Sequence, residues 1–450
     1  MCYARRMEKW CIGVRREDKD PFERRTPLIP AHVRRLVDQG VRVIVQPSAI
    51  RVHTDDEYTD AGAEVSESLD PCRFVVAVKE VPLALLGSGK TYLFFSHTLK
   101  GQRHNMPLLQ RMLDLGCSLL DYELIKDTQG RRLVAFGRYA GLAGMIETLR
   151  AFGRRCEAEG LRTPFASLEP AWRYGGLREA RDAVARIGRE IAEHGLPEPI
   201  TPLVCGIVGY GNVSGGAQEI CDLLPIRAVD PRELAQIDPR DRDARHAVFK
   251  VVFAEKHCFE RTDGGAFDLA DYFEHPERYR SVFSPQVRNL TLLVNTIYWD
   301  PRYPVLLTRD EIRQLWAEAA EPKLRVIGDI TCDVDGSIQS TVRATAPDDP
   351  TYLYLAGEGR AVDALTGPGP LVMAVDNLPC EFPLDASADF SRASLPFIEQ
   401  IARAHTADGL DLTALAPPIS GAVIAHRGEL TPAFQYLKTH LDAADAAGGM

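Results

Sequence analysis

Short apolar runs recur through the first third of the chain: Cys11–Val14, Val41–Val45, Phe74–Val78, Thr91–Phe95, Cys117–Leu120 and Leu133–Phe136. None alternates apolar with polar residues. That pattern predicts parallel strands covered on both faces rather than strands with one wet face. Helical periodicity fills the gaps, as in Pro30–Gln39, closed by Gly40, and Met106–Leu115, closed by Gly116. A βαβ rhythm of this kind predicts a doubly wound α/β sheet.

The middle of the chain starts a second unit. A helical pattern over Gly141–Arg155 carries Met145, Ile146, Leu149 and Phe152, and a second, Leu177–His194, puts Leu177, Val184, Ile187 and Ile191 on one face. The proline-rich Leu196–Pro202 then leads into predicted strands at Leu203–Val208, Ile226–Val229, Val248–Phe253, Thr291–Val294, Leu324–Gly328 and Leu371–Val375. From Asp376 on, the tail reads as helical and proline-punctuated, without a strand set. Two domains are expected: 1–138, completed by 377–450, and 139–376.

Composition narrows the class. The chain has 450 residues, 45% hydrophobic and 26% charged, as in ordinary globular proteins. A net charge of -10 argues against nucleic acid or an anionic membrane as partner, while local arginines still allow small anionic substrates. No apolar run approaches the roughly 18 residues of a membrane span. Met1–Cys11 has no hydrophobic stretch, so neither a secretory signal nor a transit peptide is expected. Ten cysteines lie scattered from Cys2 to Cys380 without a C-x-x-C pair, which fits a reducing cytoplasm. No histidine pair has i, i+4 spacing, and no metal is expected.

Two features carry chemistry. In Val204–Leu224 an apolar strand runs into Gly209-Tyr210-Gly211, followed by a helix with Val213, Ala217, Ile220 and Leu224. A turn this tight needs residues without Cβ, and free amides at the helix start, from Asn212 and Val213 on, suit a pyrophosphate. Ser214 stands at the usual third glycine, with Gly215 after it. The next predicted strand ends at Asp230, about 20 residues on, where a ribose-binding acid is expected. The plainer alternative is a glycine-rich βα turn with Asp230 as a solvated strand end. Asn295, closing the predicted strand at 291–294, either faces a nicotinamide or makes a turn.

The second feature is a set of ionisable residues at strand ends: Lys79-Glu80, Ser96-His97 and Asp121-Tyr122-Glu123, with Glu17 and Glu23-Arg24-Arg25 after the first strand. Open α/β sheets bind ligands beyond these ends, so the side chains can share one cleft. Lys79 suits proton transfer at a carbonyl or imine, or a Schiff base, and His97 proton transfer to an amine. Arginines suit substrate carboxylates. Surface charge at strand ends is the alternative. Asp333-x-Asp335-Gly336 begins like a calcium loop but has Ala344 where a glutamate should close it, so it reads as a turn. His257 reads as structural.

The motifs V-R-R-E-D (14–18), E-R-R-T-P-L-I-P (23–30), F-F-S-H-T-L-K (94–100), L-L-D-Y-E (119–123), V-A-F-G-R-Y-A-G-L-A-G-M-I (134–146), G-Y-G-N-V-S-G-G-A-Q-E-I (209–220), H-P-E-R-Y (275–279), Y-W-D (298–300), G-D-I-T-C-D-V-D-G-S-I (328–338) and V-D-N-L-P (375–379) together resemble lysine–2-oxoglutarate reductase. This is the lysine-forming saccharopine dehydrogenase family, including the reductase half of aminoadipic semialdehyde synthase. The resemblance covers essentially the whole chain and stops where the reductase half stops, so a fused glutamate-forming dehydrogenase is not expected.

The resemblance implies two Rossmann-like domains, as in alanine dehydrogenase, with the substrate in an intervening cleft. It implies reductive condensation of L-lysine with 2-oxoglutarate to saccharopine, using NAD(H) or NADP(H). Lys79 and His97 become the acid–base pair. Glu23, Arg25, Glu80, Glu123, Arg132 and Asp333 match positions that hold or tune substrate, and the form with Ser214 is the family's own glycine motif. Asp230 favours NAD, whereas Arg227, Arg232 and the resemblance favour NADP. A related amino-acid dehydrogenase, such as alanine dehydrogenase, and a non-catalytic nucleotide-binding regulatory subunit are the alternatives. A homo-oligomer is compatible with the sequence.

Overall fold

The computed structural model describes residues 11–238, 241–318 and 322–448. Two compact units divide the chain: one reaches to Phe136 and resumes at Pro383, and the other runs Gly137–Phe382. Of the ten cysteines, Cys2 lies outside the described residues, and the other nine are free thiols.

The first unit is built on strands β1 (Cys11–Val14), β2 (Arg42–Val45), β3 (Glu64–Val65), β4 (Phe74–Val76), β5 (Thr91–Phe94) and β6 (Ser118–Asp121). They lie in the order β3-β2-β1-β4-β5-β6, all parallel, which is the doubly wound order. Helices α1 (Pro30–Asp38) and α2 (Met106–Asp114) fall at the predicted places, each opened by a proline within its first turn.

Two expectations fail here. Leu133–Phe136 is not a strand: the Leu133 amide turns back to the Ile125 carbonyl at 2.9 Å, and Phe136 stacks on Phe390 instead. The tail does contribute strands. Val423–His426 pairs antiparallel with β6 and continues into a short hairpin with Glu429–Leu430. The long tail helix Pro383–Arg403 is fastened by Ser387 and Ser391, whose hydroxyls accept from the amides of Thr26 (3.0 Å) and Ile29 (3.1 Å). The loop after β1 is thereby fixed.

The second unit has strands β7 (Leu203–Val208), β8 (Ile226–Val229), β9 (Val248–Phe253), β10 (Leu292–Asn295), β11 (Val326–Asp329), β12 (Thr351–Leu355), β13 (Arg360–Val362) and β14 (Leu371–Met373). Their order is β8-β9-β7-β10-β11-β14-β12-β13, all in one direction except β12, which pairs antiparallel with both β14 and β13. Strand β8 occupies the other edge, and its half-exposed residues fit that place. The helices of this unit include α3 (Gly137–Ala158), α4 (Leu177–His194) and α5 (Asn212–Cys221).

Helices α3 and α5 cross at glycines on both. A Cβ at Gly141 would lie 1.9 Å from the Val213 carbonyl oxygen, and one at Gly216 would lie 2.0 Å from that of Arg138. Backbone contact this close leaves room for hydrogen alone.

Candidate active site and nucleotide loop

Lys79 and Glu80 follow the end of β4, and His97 follows β5, so parallel register brings them together. The His97 ring Nδ1 and Glu80 Oε1 are 2.5 Å apart. Burial raises the Glu80 carboxyl, but the hydrogen bond and charge of His97 outweigh it and bring the pKa down to about 2. An ionised Glu80 therefore accepts from Nδ1–H, so that Nε2 is the ring nitrogen left to exchange a proton with substrate. That is the arrangement of a general base held in one tautomer.

His97 itself has φ 52°, in the left-handed region. A network holds it there. The Asn105 amide donates to the His97 carbonyl at 2.8 Å, and Ser96 donates to the buried Asp121 from both its amide (2.8 Å) and its hydroxyl (2.6 Å). Burial raises the Asp121 pKa against these bonds.

Lys79 is half-buried. Burial is the first cause lowering its pKa, and the positive charge of Arg25 is the second, with Glu23 and Glu80 opposing. Glu23 and Arg25 form a fully buried bidentate pair, with Nε to Oε1 at 2.7 Å and Nη2 to Oε2 at 2.5 Å, and the guanidinium lies 4.2 Å over the Phe136 ring. Lys19 reaches Glu80 from outside at 3.5 Å.

Glu17 is the residue that the sequence placed near the cleft without assigning it a role. Its carboxylate is buried and accepts from the amides of Val78 (2.7 Å) and Lys79 (2.9 Å), fixing the backbone that carries the lysine. Burial, then the Glu23 charge, raise its pKa to about 7. A carboxylate can accept from both amides, whereas the glutamine isostere offers one acceptor and turns an NH2 toward the other donor. Glu17→Gln is therefore expected to lower turnover about tenfold, in the range of a lost buried hydrogen bond to a charged acceptor. Hydrogen exchange of a peptide spanning 74–80 should quicken in parallel; unchanged exchange would show that the bonds do not hold this segment.

Glu123 and Arg132 pair with each other beyond β6, both partly exposed. Asp333 belongs to the second unit, in a turn where its carbonyl accepts from the Gly336 amide at 2.8 Å. Among the described residues, no group of three or more His, Cys, Asp or Glu side chains could hold a metal, and no helix is long and apolar enough to cross a membrane.

The glycine loop closes β7. Gly209 has φ 104°, and a Cβ there would meet Thr296 Oγ1 at 2.7 Å. Gly211 caps α5 with extended backbone and no side-chain cap, leaving the amides of Asn212, Val213 and Ser214 at the helix start. Open space surrounds the Cβ positions of Gly211 and Gly215. Ser214 donates to the Gly209 carbonyl at 2.7 Å and so ties the loop from within. The helix-packing role of a third glycine falls to Gly216. These features fit a pyrophosphate.

Asn295 is fully buried. Its amide lies 2.8 Å from Asp329, 3.0 Å from Thr331 and 2.8 Å from Ser337, so it braces the ends of β10 and β11. Asp230 ends β8 as expected, but β8 is not the neighbour of β7, because β9 lies between them.

Comparison with known proteins places these elements. Residues 13–143 match the family described as alanine dehydrogenase/PNT, N-terminal domain. An L-alanine dehydrogenase structure superposes with a TM-score of 0.61 at 19% identity over 96% of this chain and 99% of that one. A transhydrogenase from Sinorhizobium meliloti superposes with 0.55 at 15% identity, over 94% and 100%. The chain is thus an α/β protein of alanine dehydrogenase-like fold.

Sequence relatives are more specific. Alpha-aminoadipic semialdehyde synthase of Arabidopsis thaliana is 38% identical over 95% of this chain and 41% of its own length. The mitochondrial enzyme of that name from Bos taurus is 36% identical over 96% and 48%. The L-lysine-forming, NAD(+) saccharopine dehydrogenase of Yarrowia lipolytica is 26% identical over 88% and 93%. The chain is a homologue of these proteins, and it spans less than half the length of the two semialdehyde synthases.

Proposed function

We propose that this chain condenses L-lysine with 2-oxoglutarate reductively: lysine, 2-oxoglutarate, NAD(P)H and a proton become saccharopine, NAD(P)+ and water. The observation that carries the reading is the half-buried Lys79, of lowered pKa, beside a His97 oriented by an ionised Glu80 on the neighbouring strand end. His97 Nε2 takes the proton from the lysine ammonium, freeing the amine to attack the keto carbon. Lys79 manages the proton on the keto oxygen, which leaves as water when the imine forms. The glycine loop would hold the pyrophosphate of a reduced nicotinamide cofactor, which would supply the hydride for the reduction.

Glu23 and Arg25 tune Lys79 from their buried pair, and Glu123, Arg132 and Asp333 are assigned to holding substrate. Gly209, Gly211 and the amides of Asn212, Val213 and Ser214 are assigned to the pyrophosphate, with Asn295 as a brace. Nine free thiols support a reducing compartment, which we take to be the cytoplasm, although the mammalian relatives are named mitochondrial.

The test is an assay of purified chain with L-lysine, 2-oxoglutarate and NADH or NADPH. Cofactor oxidation should require both substrates. No lysine-dependent oxidation, or faster turnover with alanine or another amine, would overturn the reading.

A further inference from the structure

We infer that Glu255, and not Asp230, recognises the adenosine ribose of the cofactor, and that the chain therefore prefers NAD(H) to NADP(H). The inference rests on the dinucleotide reading of the glycine loop and deepens it.

In a doubly wound sheet the ribose is read from the end of the strand beside the one that carries the glycine loop. In this chain that strand is β9. The Gly209 amide donates to the Phe253 carbonyl at 2.8 Å, so β9 runs alongside the loop to its last residue. Ala254 and Glu255 follow at once. Burial and then the Glu255 charge raise the pKa of Tyr210, the residue between Gly209 and Gly211, so the Glu255 carboxylate lies within electrostatic reach of the loop itself. A carboxylate there can accept from the ribose hydroxyls, and it repels a 2′-phosphate.

Asp230 is one strand further out and already engaged. Arg232 grips both of its oxygens, at 2.9 and 3.0 Å. Arg227, the other basic candidate on β8, is held by Asp241 at 2.9 Å. The two arginines that the sequence offered for a 2′-phosphate are thus paired with acids at the sheet edge. Lys256, exposed beside Glu255, is the rival cation for that phosphate.

The test is equilibrium binding of NADH and NADPH to the full chain without substrates, followed by fluorescence. NADH should bind at least about tenfold tighter, and Glu255→Ser should cut that ratio about tenfold or more, as loss of a ribose-reading acid does. Glu255→Gln, which keeps the volume, should move it the same way, and Asp230→Ser should leave it within about twofold, because a substitution without shared contacts acts independently. The inference is overturned if Asp230→Ser moves the ratio and Glu255→Ser does not. Preference for NADPH that disappears in Lys256→Ala overturns it as well. If neither nucleotide binds, the dinucleotide reading itself falls, and this assignment falls with it.

Discussion

Lys79→Met is expected to lower kcat by about two to four orders of magnitude, the usual contribution of a positioned acid or base. Methionine keeps most of the volume and removes the amine. Lys79→Arg should be as damaging, because a guanidinium keeps its proton at any working pH and cannot serve as base. That variant separates proton transfer from simple attraction of a carboxylate, which an arginine would preserve. His97→Gln should fall in the same range: the glutamine amide can still donate toward Glu80, but it has no basic nitrogen to replace Nε2.

Stability should respond differently. Burial holds the Lys79 pKa below its ordinary value, so the unfolded chain binds the proton more tightly and the charged lysine opposes folding at neutral pH. The folded state gains as pH rises through the window between the two pKa values. Lys79→Met removes that opposition, and its thermal midpoint at neutral pH should equal or exceed that of the parent. Steady-state kinetics with paired melting curves check both statements. Retained turnover in either variant would remove the acid–base assignment.

Much of this site was legible because it follows from local pattern. Apolar runs marked β1, β4, β5 and β6, and an ionisable residue follows each within three positions: Arg15, Lys79, His97 and Glu123. Leu177–His194 and Val248–Phe253 fall at their predicted bounds because a clean apolar stripe or run is bracketed by turn residues. Strand order is another matter. Nothing local distinguishes β8 from β9 as the neighbour of β7, since adjacency is decided by how the chain between them crosses the sheet. Asp230 was therefore an inference about sequence distance, and the strand paired with β7 is β9, not β8. The tail strand Val423–His426 was missed for a related reason: it is short, lies among prolines, and becomes a strand by pairing with β6. Glu17 was visible as an acid after β1, but its two amide partners lie about 60 residues away and only the fold reveals them.

Arg25→Met is expected to destabilise the first unit by about 3–5 kcal/mol, the cost of removing one partner from a buried ion pair. Both side chains are essentially inaccessible, and the guanidinium grips both Glu23 oxygens. The variant leaves the Glu23 carboxylate in that buried place without this partner. It also loses the guanidinium's contact with Phe136. Glu23→Leu with Arg25→Met removes both charges and should cost much less than Arg25→Met alone, as replacing a whole buried pair often does. Urea unfolding of the single and double variants measures the difference. A single-variant cost below about 1 kcal/mol, the range of exposed pairs, would show that the pair does not hold this loop.

Activity gives an independent reading with an opposite sign for each partner. Arg25 lowers the Lys79 pKa and Glu23 raises it. Arg25→Met should therefore move the acid limb of the kcat/KM profile to higher pH, because neutral Lys79 then appears later. Glu23→Gln should move it to lower pH, and it should also let the Glu17 pKa fall, since the Glu23 charge is one of the causes raising it. A destabilised but otherwise unaltered site would show the same limb in all three proteins. Opposed shifts from two residues gripping each other would show that the pair governs the lysine as well as the fold.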